Sequence, residues 1–348
     1  MIGRWLAPPA PARRLALFRV LVGAFALVYL TARFPAFWAT ASLADGFDPV
    51  GVLAPLERPL PAGLVRAMVI AAPLLAAAVT AGLRFRVTGP AFAAVLLVVL
   101  TYRSSWGRLL YFDNLLVLHA LVLACSPAAD DLAVRIRPRP LSPPPAPLPA
   151  GAALTIPERT ATGPSTRPLG ELPVDAEGVV TVDVPIEDPR YGWPLRLCAL
   201  VTVTTYVLAG VAKLRVGGLA WLSGDTLAHH IAFSAARLDV LGGTPSPAAH
   251  LVLRDGRWLL TPAAVATIVL EVGAPLALWS RLRTPWVVGL WGFHAAVATT
   301  MFVLFPYPLA MVAFAPLYRL ERWRWPRPSP ARSSRCGTWG PVGPAPPA

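Results

Sequence analysis

The sequence predicts an all-α fold: a polytopic helical membrane bundle of about eight transmembrane helices. Three observations lead there. Hydrophobic residues fill 55% of the 348 positions and charged residues only 14%, with a mean hydropathy of +0.57. The apolar residues also gather into runs near the roughly 20 residues that cross a bilayer at about 1.5 Å rise per residue. Finally, arginines flank those runs instead of covering a soluble basic face. The net charge of +13 therefore reads as membrane topology, and nucleic acid is not expected as a partner.

Eight runs are candidate spans: 15–38, 64–83, 87–102, 109–125, 195–214, 259–279, 286–305 and 307–320. The third, fourth and eighth are short for a crossing. Arg4, Arg13 and Arg14 precede span 1, whose length and following Arg33 predict an uncleaved anchor rather than a signal peptide. Arg84 and Arg86 join spans 2 and 3, Arg135, Arg137 and Arg139 follow span 4, and Arg281 and Arg283 join spans 6 and 7. Arg319, Arg322, Arg324 and Arg327 follow span 8. An even number of crossings puts all of these on one side, which the positive-inside rule makes cytoplasmic. Both termini are expected there, in a multi-pass protein of the cytoplasmic membrane. The first external loop fits, with Asp45, Asp48 and Glu57 against Arg58.

This divides the chain into spans 1–4 (12–126), a proline-rich cytoplasmic linker (127–193), spans 5–8 (194–325) and a basic tail (326–348) expected to be disordered. Within the linker, the alternation from Gly178 to Ile186 predicts one short strand. Between spans 5 and 6, Leu227, Ile231, Ala235, Leu238 and Leu241 recur at helical spacing and predict an amphipathic helix along the outer interface. Cys125, Cys198 and Cys336 lack disulfide or metal spacing and are expected to be reduced. No metal site is predicted, and no nucleotide-loop, nucleophile-elbow or zinc-protease fingerprint occurs.

Candidate chemistry rests on ionisable groups inside the spans, which need a partner or a purpose. Lys213 is the only lysine in the chain, against thirty arginines, and lies at the end of span 5. Arginine stays charged, whereas a desolvated lysine can give up its proton and act as a base; the plainer alternative is a lysine snorkelling to the interface. Tyr206, Gly210 and Lys213 follow an i, i+4, i+7 spacing and share a face, with Gly210 leaving room for a helix or a flat ligand. Glu271 on span 6 and His294 on span 7 both lie about 13 Å from the turn between those helices, a depth that permits a buried pair. Gly273 and Pro275 weaken the helix beside Glu271. Asp113, with Asn114, either caps span 4 or serves as the counter-ion of Lys213. Arg19 either snorkels or binds helix-end carbonyls. His119 is expected to be a hydrogen-bonded core histidine.

The stretch Trp193-Pro-Leu-Arg196, then Tyr206-Val-Leu-Ala-Gly210-Val-Ala-Lys213-Leu214, then Trp221-Leu-Ser-Gly224 resembles the HTTM superfamily of membrane proteins related to vitamin K-dependent gamma-carboxylase. Phe18-Arg19, Glu271-x-Gly273-x-Pro275, Phe293-His294 and Phe305-Pro306 agree with it. The resemblance implies that Lys213 is the base toward a lipid quinol of vitamin K or menaquinol type, with an exported peptide as substrate. It departs from the carboxylase after Trp106, where Asp113 and Asn114 arrive without the histidine found there, so it implies quinol chemistry more than peptide carboxylation. Lys213, Glu271 and His294 are the catalytic candidates. Tyr206, Gly210, Trp221, Asp113 and Arg19 are the pocket candidates. Membrane lipid and a secreted peptide are the expected partners, and a non-enzymatic membrane factor for peptide maturation or export is the alternative.

Overall fold

In the computed structural model, residues 2–107, 111–134, 158–160, 163–165 and 187–322 are described. The first half begins with α1 (Ile2–Leu6) and strand β1 (Ala10–Pro11), then α2 (Ala12–Ala32) and α3 (Phe34–Ala39). It continues through α4 (Ala62–Ala81), α5 (Phe85–Ser104) and α6 (Asn114–Ala124). Strands β2 (Glu158–Thr160) and β3 (Gly163–Ser165) form an antiparallel hairpin, and β4 (Glu187–Asp188) pairs antiparallel with β1. The second half holds α7 (Pro189–Gly217), α8 (Gly224–Val240), α9 (Pro247–Arg254), α10 (Leu260–Val272), α11 (Ser280–Met301) and α12 (Pro306–Leu309).

The described chain is mostly helical, and four elements are long and apolar enough to cross a membrane: Ala12–Ala32, Ala62–Ala81, Phe85–Ser104 and Pro189–Leu222. Their outward faces stay apolar, as Val28, Leu74, Val87 and Leu208 show. In water such a surface promotes association, whereas in lipid it meets its own kind.

Of the remaining expected spans, 286–305 falls largely in α11, a continuous helix of 22 residues that is not among those four, and the other three are short or broken. Helix α6 has 11 residues, about 17 Å of rise against a hydrocarbon core of about 30 Å. Helix α10 stops at Val272 and passes through Gly273 into the 3-10 turn Ala274–Leu278, where Pro275 removes a donor. Where 307–320 was expected to form one span, there are the four residues of α12 and the 3-10 stretch Val312–Leu317. Pro306, Pro308 and Pro316 deny that segment a continuous ladder.

Helix α7 starts at Pro189, inside the expected linker, because Asp188 caps it by accepting from the Arg190 amide at 2.8 Å and Pro189 suits the first helical position. The strand expected over Gly178–Ile186 and the tail 326–348 lie outside the described residues. The helix expected around Leu227–Leu241 is α8, capped by Ser223, with Ala228 and Ile231 buried.

Packing proceeds neighbour by neighbour: α2 on α4, α4 on α5, α5 on α6, α6 on α7 and α7 on α10. The main core joins α2, α4, α5 and α6 to the start of α7 through Leu195 and Cys198, with Tyr307 and Ala313 from the last segment. A second core surrounds Tyr206 and includes Val287, Leu290 and Phe314. Helices α4 and α5 form a hairpin turned at Gly82, whose φ of 70° suits glycine best. Here Arg19, wholly buried, donates to the carbonyls of Leu132 at 2.6 Å and Ala128 at 3.0 Å, with Asp131 at 3.4 Å and Thr80 at 3.5 Å.

Candidate functional site

The second half of α7 carries the site, because its polar residues recur on the face turned toward α10 and α11. Tyr206 and Gly210 are buried on that face. A Cβ on Gly210 would stand 2.8 Å from Val272 Cγ2 and 3.0 Å from Glu271 Cβ. The space left by Gly210 is thus filled by α10, and this close approach brings Glu271 against Lys213. Lys213 Nζ donates to Glu271 Oε1 at 2.6 Å and Oε2 at 2.7 Å, so one ammonium engages both carboxylate oxygens. The Glu271 side chain is 3% exposed and that of Lys213 is 23% exposed, which leaves the pair one open side, at the lysine. The Trp221 ring, from the 3-10 turn Gly218–Leu222, lies 5.5 Å from Nζ, within cation–π range. Trp221 in turn stacks on His230 at 5.0 Å.

His294 takes a different partner from the one its depth suggested. Its Nε2 lies 2.7 Å from the Tyr206 hydroxyl, not against Glu271. With that hydroxyl donating, the imidazole carries its proton on Nδ1, which is buried and meets no hydrogen-bond partner among the described residues. Phe305 at 4.8 Å, Phe293 at 5.1 Å and, across Tyr206, Phe314 at 6.0 Å wall the pair in aromatic rings. Lys213 and Glu271 sit on the same helices that carry Tyr206 and the approach to His294. The two sequence constellations therefore form one polar cluster, cross-paired as Lys213–Glu271 and Tyr206–His294.

Two pocket candidates lie elsewhere. Asp113 is not the counter-ion of Lys213. It is buried against α2 and accepts from the Tyr29 hydroxyl at 2.7 Å, with Arg103 3.4 Å from the same hydroxyl. Comparable depth on two helices does not make their residues neighbours: α6 meets α7 around Cys198 and Thr202, through His119, while Asp113 turns to Tyr29 of α2. Asp113 stands at the start of α6, but its side chain makes no cap hydrogen bond. Arg19 belongs to the opposite end of the bundle, tied to the carbonyls described above, since a fully buried guanidinium needs acceptors in several directions.

His119 is the core histidine expected. Its Nδ1 lies 2.7 Å from Tyr307 Oη, and its Nε2 lies 3.1 Å from both the Cys198 carbonyl and Thr202 Oγ1. Tyr307, Phe314 and Tyr29 were not singled out from the sequence. A tyrosine within an apolar run signals a buried hydroxyl in need of a partner, and that signal was available for Tyr29 and Tyr307. Among the described residues, no group of three or more His, Cys, Asp or Glu is placed to hold a metal ion.

Chemically, a lysine and a glutamate in direct contact within an apolar surrounding share one proton between a charged pair and a neutral amine–acid pair. Low polarity narrows the difference between the two forms. In the neutral form the amine is free to accept a second proton, the first being held by the carboxylic acid. No protein-family model, curated protein or solved structure matches this chain.

Proposed function

We propose that this chain is an integral membrane protein of the HTTM type whose Lys213–Glu271 pair takes a proton from a lipid quinol. The observation that carries this reading is the pairing itself. The only lysine of the chain meets a buried carboxylate with both oxygens engaged, yet keeps an open side next to an aromatic ring. In this reading a quinol approaches Lys213 from its open side near Trp221, since α10 occupies the Gly210 side. Bound there, a quinol presents an acidic hydroxyl. Transfer of the Lys213 ammonium proton to Glu271 frees the amine, which then takes the quinol proton, so the pair ends as ammonium and carboxylic acid opposite the quinolate, and Tyr206 with His294 sets the polarity of the inner wall.

The wider frame of the proposal is an eight-pass arrangement. In it α11 and the short or broken segments α6, α10 and 307–320 complete the bundle against the four long helices. Both termini and the arginine-rich turns face the cytoplasm, and Lys213 lies near the outer face. An exported peptide is then the partner of the site, and carboxylation of its glutamates is not part of the proposal.

The bidentate geometry also favours a second reading, in which the pair is a clasp between α7 and α10 in a non-enzymatic factor for peptide maturation or export. The test is direct. Purified protein is titrated anaerobically with a menaquinol-type hydroquinone, while its ultraviolet spectrum is followed for the red shift that accompanies hydroxyl ionisation. Wild type is expected to produce the shift. Lys213→Ala and Lys213→Arg are both expected to lose it, since arginine keeps the charge but cannot act as the base. A Lys213→Arg protein that gives the full shift refutes the base role and leaves the clasp.

A further inference from the structure

The first turns of α2, α7 and α11 border one cavity, at the end of the bundle away from Lys213, which stands about 25 Å further along α7 than Arg196. The cavity holds about 220 Å³ and is lined by Arg14, Arg196, Arg283 and Arg319. No carboxylate lines it among the described residues. Arg14 donates through Nε and Nη2 to Glu321 at 2.8 and 2.6 Å, which offsets one charge of four. Arg196 is held in place by donating to the Trp5 carbonyl at 3.1 Å and stacking 4.6 Å from the Trp5 ring. Arg283 packs 5.9 Å from the Tyr318 ring, and its Nε is buried with no hydrogen-bond partner among the described residues.

Four like charges around one small space repel one another, and three helix N-termini add partial positive charge at the same place. A fold accepts such a gathering when something negative completes it. Positive charge on a cytoplasmic face explains arginines spread over a rim. It does not explain guanidinium groups turned into a shared cavity, one of them with an unmet donor.

We propose that this cavity binds a phosphate-bearing anion, either the headgroup of an anionic phospholipid or free phosphate. Guanidinium forks match phosphate oxygens two at a time, which suits arginine better than lysine. The volume falls below the roughly 300–1,000 Å³ of a drug-sized ligand site, so the occupant is a small anionic group. This site is independent of the quinol reading, which concerns the other end of α7.

The test uses the full chain purified in a zwitterionic detergent. Phosphatidylglycerol is titrated and counted by native mass spectrometry, and inorganic phosphate is titrated in parallel by thermal shift. Tight binding is expected, weakened about tenfold or more by Arg283→Gln, the loss of a charge-assisted hydrogen bond. Arg319→Gln, at an exposed position of the lining, is expected to weaken it as well without threatening the fold. Arg281→Gln, exposed and outside the cavity, is expected to change affinity less than twofold. Binding of phosphatidylglycerol alone identifies the source as lipid, whereas equal protection by inorganic phosphate identifies a free anion; both support the site. Equal weakening by Arg281→Gln and Arg283→Gln, or no binding of either probe, overturns it.

Discussion

Removing either member of the Lys213–Glu271 pair is expected to destabilise the protein, while removing both is expected to restore most of the loss. Breaking a buried ion pair from one side costs about 3–5 kcal/mol, because a charge is left in a medium that cannot solvate it. The two halves of this pair are not equivalent. Glu271 is 3% exposed, so Lys213→Met strands its carboxylate and falls at the upper part of that range. Lys213 is 23% exposed, so Glu271→Leu leaves an ammonium that still reaches polar surroundings, and its cost sits at about 3 kcal/mol or slightly below. In the double variant no charge is stranded, and an apolar contact beside Gly210 replaces the pair. Its stability is expected within about 1.5 kcal/mol of wild type. The assay is reversible unfolding of the four proteins in mixed micelles, followed by tryptophan fluorescence, with the coupling energy taken from the cycle. Losses that simply add would mean that the two groups do not interact, and both the proton-sharing pair and the clasp would fail.

Three further outcomes follow from particular contacts. Gly210→Ala places a methyl group 2.8 Å from Val272 Cγ2 and is expected to cost about 1–3 kcal/mol by forcing α7 and α10 apart, measured in the same unfolding assay. Tyr206→Phe leaves His294 Nε2 without its partner and is expected to cost about 1–3 kcal/mol, with His294→Phe added on top recovering part of it. The Arg14–Glu321 contact gives a pH dependence. Burial alone raises the Glu321 carboxyl, but the hydrogen bonds and charge of Arg14, with Arg319 nearby, outweigh it and hold the group below its ordinary value. A carboxyl depressed in the folded state contributes stability above its unfolded value, about pH 4.3, and loses it as pH falls through the folded value. Thermal unfolding from pH 7 to pH 3 is expected to show a late acid loss that Glu321→Gln removes. An unchanged profile in that variant would place the loss elsewhere.

Much of the fold was legible because lipid imposes a simple rule: a spanning helix is a long apolar run, and α2, α4, α5 and α7 are such runs. Prolines blurred the rest. Pro306, Pro308 and Pro316 sit in a segment whose hydropathy suggests a span while its missing donors forbid one, so composition and backbone chemistry disagreed and the backbone prevailed. Lys213 stood out because it has no lysine rival, and Tyr206 and Gly210 followed from helical spacing. Asp113 and Arg19 were grouped with them by depth and resemblance, and the molecule places each against α2, α4 or the 127–134 turn instead.

Residue types alone established which side chains are too polar for their surroundings, and so must find partners. They also established how deep along its helix each one lies, since rise per residue is constant. Which partner each one meets depends on rotation about the helix axis and on which helices touch, and neither quantity is written locally. Gly210 illustrates the division. Its lack of a side chain was visible at once, but whether a ligand or another helix would use the gap was settled when α10 packed there and carried Glu271 to Lys213.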